Sequence, residues 1–185
     1  MSHDTDQIDQ STPSSAEQNL PLSRRLKPIA LYGIPGLLIG MVATALIAWQ
    51  AMPGMMLTVH QSKYDSVEQT CDALKIAIES AGWNCPAVRD MNQSMAKHGI
   101  THDRPIRIVE LCNATYASEV LGCNPEVSTL MPCAWGVYKG ADDKVYVAGM
   151  NMGLMGKMFG GKIAQVMGGQ VAVDEHRMLS SVIVP

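Results

Sequence analysis

RPIRIVELCN, residues 104–113, decides how the chain is read. Ile106, Ile108, Glu110 and Cys112 fall on one side of an extended chain, and Arg107, Val109 and Leu111 on the other. That two-residue repeat belongs to a strand. Downstream, MPCAWGVYKG (131–140) and KVYVAGM (144–150) flank the turn residues GADD and predict a β-hairpin. Upstream, LTVHQSKY (57–64) predicts another strand and WNCPAVRDM (83–91) a short returning one. Helices separate them. In DSVEQTCDALKIAIESAG (65–82), Val67, Cys71, Leu74, Ile78 and Ala81 share one face. Asp65 or Ser66 can cap its start, Glu68 or Gln69 can return the bond, and Gly82 stops it. MNQSMAKHGI (91–100) predicts a short helix or loop, and ATYASEVLGCN (114–124) a short helix capped by Asn113. GLMGKMFGGKIAQVMGG (153–169) and AVDEHRMLSSVI (172–183) predict further helices. The sum is an α+β fold of two layers, with helices on one face of a mainly antiparallel sheet.

The chain of 185 residues is 47% hydrophobic with a net charge of −3, which suits one modest domain plus an apolar segment and argues against a nucleic-acid partner. The segment is PIALYGIPGLLIGMVATALIAWQAMPGMMLTV, residues 28–59, which carries no charged side chain. Ile29 to Ala51 exceeds the ~20 apolar residues that a membrane span needs, and Trp49 can mark an interface. Arg24, Arg25 and Lys27 precede the span, so the N-terminus is expected in the cytoplasm and the rest outside. A cleaved signal peptide fits less well: its apolar core runs only about 7 to 15 residues, and WQA is a poor cleavage site. Residues 1–23 are polar with little to bury, as in a disordered tail. The expected division is a cytoplasmic tail (1–27), a transmembrane anchor (28–52) and an exported α+β domain (57–185). Gly36 and Gly40 have the G-x-x-x-G spacing that lets membrane helices pair.

KYDSVEQTCDALKIAIESAGWN, MNQSMAKHG, RPIRIVELCNATYASEVL, VSTLMPCAWGVYK and NMGLMGKMFGGKIAQVMGG follow one another in an order and spacing that resembles the domain of unknown function 302 family. The likeness runs from about His60 to Ile183. It implies a small α+β domain, often dimeric and often bacterial, so the exported domain is expected in the periplasm of a cell with an inner-membrane anchor. It implies little about activity. Cys112 and Cys133 match cysteines that recur in relatives; Cys71, Cys85 and Cys123 look particular to this chain.

Five cysteines in an oxidising space leave at least one thiol free, metal-bound or bridged to another chain. Cys71 and Cys85 can form a disulfide staple. The helix carries the chain away by ~14 Å, and the return strand brings it back by ~13 Å. The alternative is two buried thiols. Cys112 ends one strand and Cys133 begins another, so the two can be neighbours. Glu110 precedes Cys112 by two residues, and His98 precedes the same strand. Such donors can hold a soft metal (copper or zinc) or haem iron. A disulfide or inert thiols remain open as readings of that pair. No C-x-x-C, G-x-S-x-G, H-E-x-x-H, P-loop or dinucleotide glycine pattern is present.

MNMGLMGKMFGGKIAQVMGG, residues 150–169, invites a copper reading through Met152, Met155 and Met158, whose thioethers are soft donors. Helical spacing favours another. Met155, Phe159, Ile163 and Val166 or Met167 would share an apolar face, and the glycines would let the segment move or lie close to another backbone. The segment is therefore expected to be an amphipathic flap, or a dimer contact, near the Cys112 and Cys133 end of the sheet. Membrane-surface contact is a third use, with few lysines to support it. The leading expectation is a membrane-anchored domain that binds a ligand or partner at Cys112 and Cys133 rather than an enzyme. A thiol–disulfide or sulfur-transfer enzyme using the same cysteines is one alternative. A structural accessory subunit of a membrane complex is another.

Overall fold

The computed structural model describes residues 34–185. The tail expected at 1–27, the three basic residues and the first part of the expected span lie outside the described residues. The chain divides into two compact units, the first ending at Gln50 and the second covering Ala51–Pro185.

Helix α1 is Ile34–Met56. Its stretch Pro35–Met52 has a mean hydropathy of 1.6 and none of it is buried. Its 23 residues rise ~35 Å at ~1.5 Å each, enough to cross a hydrocarbon core of ~30 Å. One helix near the N-terminus is thus long and apolar enough to span a membrane.

The second unit is built on five strands: β1 Leu57–Gln61, β2 Val88–Asp90, β3 Ile106–Leu111, β4 Cys133–Lys139 and β5 Val145–Met150. Their order is β1-β5-β4-β3-β2, and every neighbouring pair is antiparallel. The alternation read in β3 holds: Val109 and Leu111 are buried, as are Cys133, Trp135 and Val137 of β4 and Val145 and Val147 of β5. This face carries the helices, as the α+β reading expects. The other face stays open, with Leu57 and Val59 more than half exposed and Tyr138 stacked on Tyr146 at 5.8 Å.

Helix α2, Val67–Ser80, buries Val67, Cys71, Leu74 and Ile78 on the sheet. Ser66 is its cap and accepts from the Gln69 N–H; its hydroxyl donates to Glu68 at 3.0 Å. Short α3 is Met91–Ala96 and α4 is Ala114–Cys123, the latter capped by Asn113, which accepts from the Thr115 and Tyr116 N–H groups. A 3₁₀ turn over Pro125–Leu130 follows, which periodicity alone did not suggest.

The methionine–glycine run forms three pieces rather than one helix: α5 Met152–Phe159, α6 Gly161–Gln165 and a π-helical turn Val166–Val171 that leads into α7, Ala172–Ser180. Gly160 and Gly161 sit at φ 70° and 54°, where glycine carries no steric penalty, and they break the helical phase. Gly156 lies backbone to backbone on Gly168: a Cβ there would come within 2.6 Å of the Gly168 Cα. Asn151 opens α5 by accepting from the Leu154 N–H. It also stitches the segment to the start of the unit, its backbone N–H donating to the Met56 carbonyl at 2.8 Å and its side chain to the Met55 carbonyl at 3.1 Å.

Candidate functional site

The β3–β4 register pairs Leu111 with Cys133 on the helix-covered face. Cys112, one residue past the strand, bonds backbone to backbone with Asn84 in both directions at 2.9 Å. That bridge carries the ladder one residue beyond the end of β3. Both cysteines line one small apolar cavity of about 20 Å³, roughly the room for one water. Trp83, Tyr116, Met131, Met167 and Val171 complete its walls.

The aromatic wall is fixed by a carboxylate. Trp83 Nε1–H and the Tyr116 hydroxyl both donate to Asp174, at 3.2 and 3.1 Å, and the two rings meet edge to face at 5.6 Å. Arg177 lies 3.5 Å from the same carboxylate. Burial pushes the Cys133 thiol up to about 12, with the nearby Glu175 carboxyl and Cys112 thiol raising it further. Cys133 is therefore a thiol, not a thiolate, at neutral pH.

The expected site residues do not all gather here. Glu110 pairs in register with exposed Ala134, on the open face, and forms an ion pair with Arg89. Two-residue alternation makes this unavoidable, since Leu111 next to it faces the helices. His98 is exposed after α3, where its N–H donates to the Met95 carbonyl. Asn92 ties this loop to the Ile106 end of β3 by accepting from the Ile106 N–H at 2.7 Å. The six residues of β3, at ~3.3 Å each, put about 20 Å of strand between that end and Cys112. Among the described residues, no three His, Cys, Asp or Glu side chains converge as a set that could hold a metal ion.

Only the far end of the expected segment reaches the cavity. Met167 and Val171, from the π turn, cover it. Met152 and Met155 are buried in the packing of the helical layer, whereas Met158 and Phe159 are exposed by more than half. The break at Gly160 is the reason: the face extrapolated from Met155 through Phe159 to Ile163 does not survive a change of helix phase. A copper set of Met152, Met155 and Met158 is likewise split between core and solvent.

All five cysteines are thiols in this structure. Cys85 lies near enough to Cys71 to be felt there: burial first, and the Cys85 thiol among lesser causes, push Cys71 up to about 12. Cys123 is exposed at the end of α4.

Trp83, Tyr116, Asp174 and Glu175 were not among the expected site residues. A signal for Glu175 existed, since Val171, Glu175, Met178, Leu179 and Val182 recur at helical spacing and are all buried. An acidic residue within an apolar stripe is the informative exception.

A family model described as Domain of unknown function DUF302 matches residues 58–183. The chain belongs to that family. Among solved structures, the crystal structure of uncharacterized conserved protein DUF302 from Bacillus stearothermophilus has the same fold, with a TM-score of 0.61 at 16% sequence identity. The match covers 69% of this chain and 98% of that one. A comparison with curated proteins finds no match. The DUF302 assignment agrees with the observed five-stranded antiparallel sheet and its helical layer.

Proposed function

We propose that this DUF302 protein is a single-pass, N-in membrane protein whose outer domain binds a ligand or partner through Cys112 and Cys133. The observation that supports it is the meeting of Cys112 and Cys133 on one apolar cavity, beside the Leu111–Cys133 register and the Asn84–Cys112 bridge. Two soft donors within apolar walls suit a soft metal ion such as Cu(I), which would displace the thiol protons on binding. Zinc would need further donors beyond the pair. The cavity, as closed, has no room for haem, so haem binding requires Met167 and Val171 to move aside. Glu110 and His98 are not part of this set. A thiol–disulfide or sulfur-transfer enzyme is less well supported, because burial holds Cys133 in its unreactive thiol form. The accessory-subunit reading draws on the open sheet face, where Leu57 and Val59 are exposed.

The test is native purification from the membrane with metal analysis, an absorption spectrum and a free-thiol count, repeated for Cys112→Ser with Cys133→Ser. One equivalent of a soft metal in the wild type and none in the double variant is expected. No metal or chromophore in either, with a large partner retained, would replace this reading by the accessory subunit. Protease added outside spheroplasts should digest the domain after residue 56; full protection would reverse the topology.

A further inference from the structure

A second feature lies between β1, the end of β5 and α7. Glu175, in the first turn of α7, is only 8% exposed. Its carboxyl makes no hydrogen bond and no ion pair among the described residues. Nor, among them, does any fully enclosed side-chain nitrogen or oxygen lack a partner. The unpaired Glu175 oxygens must therefore reach open space, and that space is a cleft of about 160 Å³ lined by Thr58, His60, Met150, Met152, His176 and Leu179 with Glu175 itself. Neither Lys nor Arg lines it. Burial alone pushes the carboxyl up to about 8, with no neighbouring cation to bring it down. A carboxyl kept in this way lacks one thing, a positive partner.

We propose that the cleft binds a small organic cation, a primary ammonium group on a short hydrocarbon chain, with its N–H groups donating to Glu175 and its methylenes lying against Met150, Met152 and Leu179. The carboxyl proton passes to bulk water as the ammonium enters. Size agrees: at ~30 Å³ per water the cleft has room for about five, or an alkylammonium ion of about as many heavy atoms. A metal ion fits less well, because His60, Glu175 and His176 do not converge as a ligand set. An anion would meet a carboxyl and no cation. Apolar walls with one oriented polar group are the usual construction of a small-ligand site. The proposal uses neither Cys112 nor Cys133 as a contact to the ligand, although Glu175 lies near enough to Cys133 for its charge to be felt there.

The test titrates n-butylammonium chloride into the full chain in detergent, with n-butanol and sodium chloride as controls. The readout is the ε-methyl NMR signals of Met150 and Met152, assigned by Met→Leu substitution. Saturable shifts with butylammonium, and none with butanol or salt, are expected. Glu175→Gln should weaken binding at least tenfold. Thr58→Leu, which narrows the cleft and leaves the carboxyl alone, should weaken it too and serves if Glu175→Gln fails to fold. Cys112→Ser alone, which breaks the cysteine pair and leaves Cys133 beside Glu175 unchanged, should leave the affinity within twofold, which separates this proposal from the cysteine reading. No saturable shift in the wild type, equal binding by folded Glu175→Gln, or equal binding of butanol would overturn it. Competitive displacement of butylammonium by Zn(II) would turn the site into a metal site and overturn it as well.

Discussion

Asp174 and Glu175 are adjacent in sequence and are treated in opposite ways. Asp174 receives hydrogen bonds from Trp83 and Tyr116 and faces Arg177. Glu175, one residue on, turns about 100° around the helix and has no partner among the described residues. The first carboxylate holds two aromatic rings in place beside the cysteine cavity. The second faces a cleft with nothing to hold. A buried acid with all its partners present is a structural element, whereas one without any is poised for something that arrives.

The sharpest way to break this contrast is pH. The folded carboxyl of Glu175 sits at about 8 against an ordinary 4.5, so the folded state keeps a proton that the unfolded chain has released. Its contribution is fully present below about pH 4.5 and is lost as pH rises through 8. At ~1.4 kcal/mol per pH unit the whole change is on the order of 5 kcal/mol. Urea midpoints measured across that window should fall with pH in the wild type. Glu175→Gln should flatten the curve and make the protein the more stable of the two near pH 8.5. A wild-type curve already flat would mean that Glu175 finds a partner.

Asp174→Ala should cost about 2 kcal/mol at any pH above the carboxylate range, because the buried Trp83 N–H and the Tyr116 hydroxyl lose their acceptor. Near-ultraviolet circular dichroism should report the loosened Trp83 and Tyr116 pair. An unchanged midpoint would put Asp174 on the same footing as its neighbour. Phe159→Ala is the smallest change. Its ring is 53% exposed, and the unfolding midpoint should move by less than ~0.5 kcal/mol. A larger loss would return Phe159 to the apolar face that the sequence suggested.

Most of the framework could be read from the residues, because local rules decided it. Strict alternation gave β3, the GADD turn gave the β4–β5 hairpin, and Ser66 and Asn113 marked helix starts by side-chain chemistry that acts within one turn. The Cys112 and Cys133 neighbourhood was legible for the same reason, as strand ends in one antiparallel sheet. What failed was extrapolation past a local break. Glu110 was grouped with Cys112, but it pairs with Arg89 away from the cavity that Cys112 lines. His98 was near in sequence to β3, yet near its wrong end. The flap face ran through Gly160 and Gly161 as though the helix continued. Glu175 drew no reading of its own within the helix expected over 172–183, whereas its phase relative to Met178 and Leu179 sets it in the core.

The double tie between Asn151 and the carbonyls of Met55 and Met56 also has a mechanical meaning. Tension entering the second unit through residue 56 does not fall on β1 alone. It is shared between the β1–β5 ladder and two bonds that end at the start of α5. Strand β1 is an edge strand, the element that would peel first under load. Asn151 fastens the point at which peeling would begin. The same residue caps α5, so a pull strong enough to free Met55 and Met56 would also uncap the helix that carries Gly156 onto Gly168. The entry point of the chain is thereby geared to the packing of the helical layer, and a force applied there would be felt as a loosening of that layer before the central strands part.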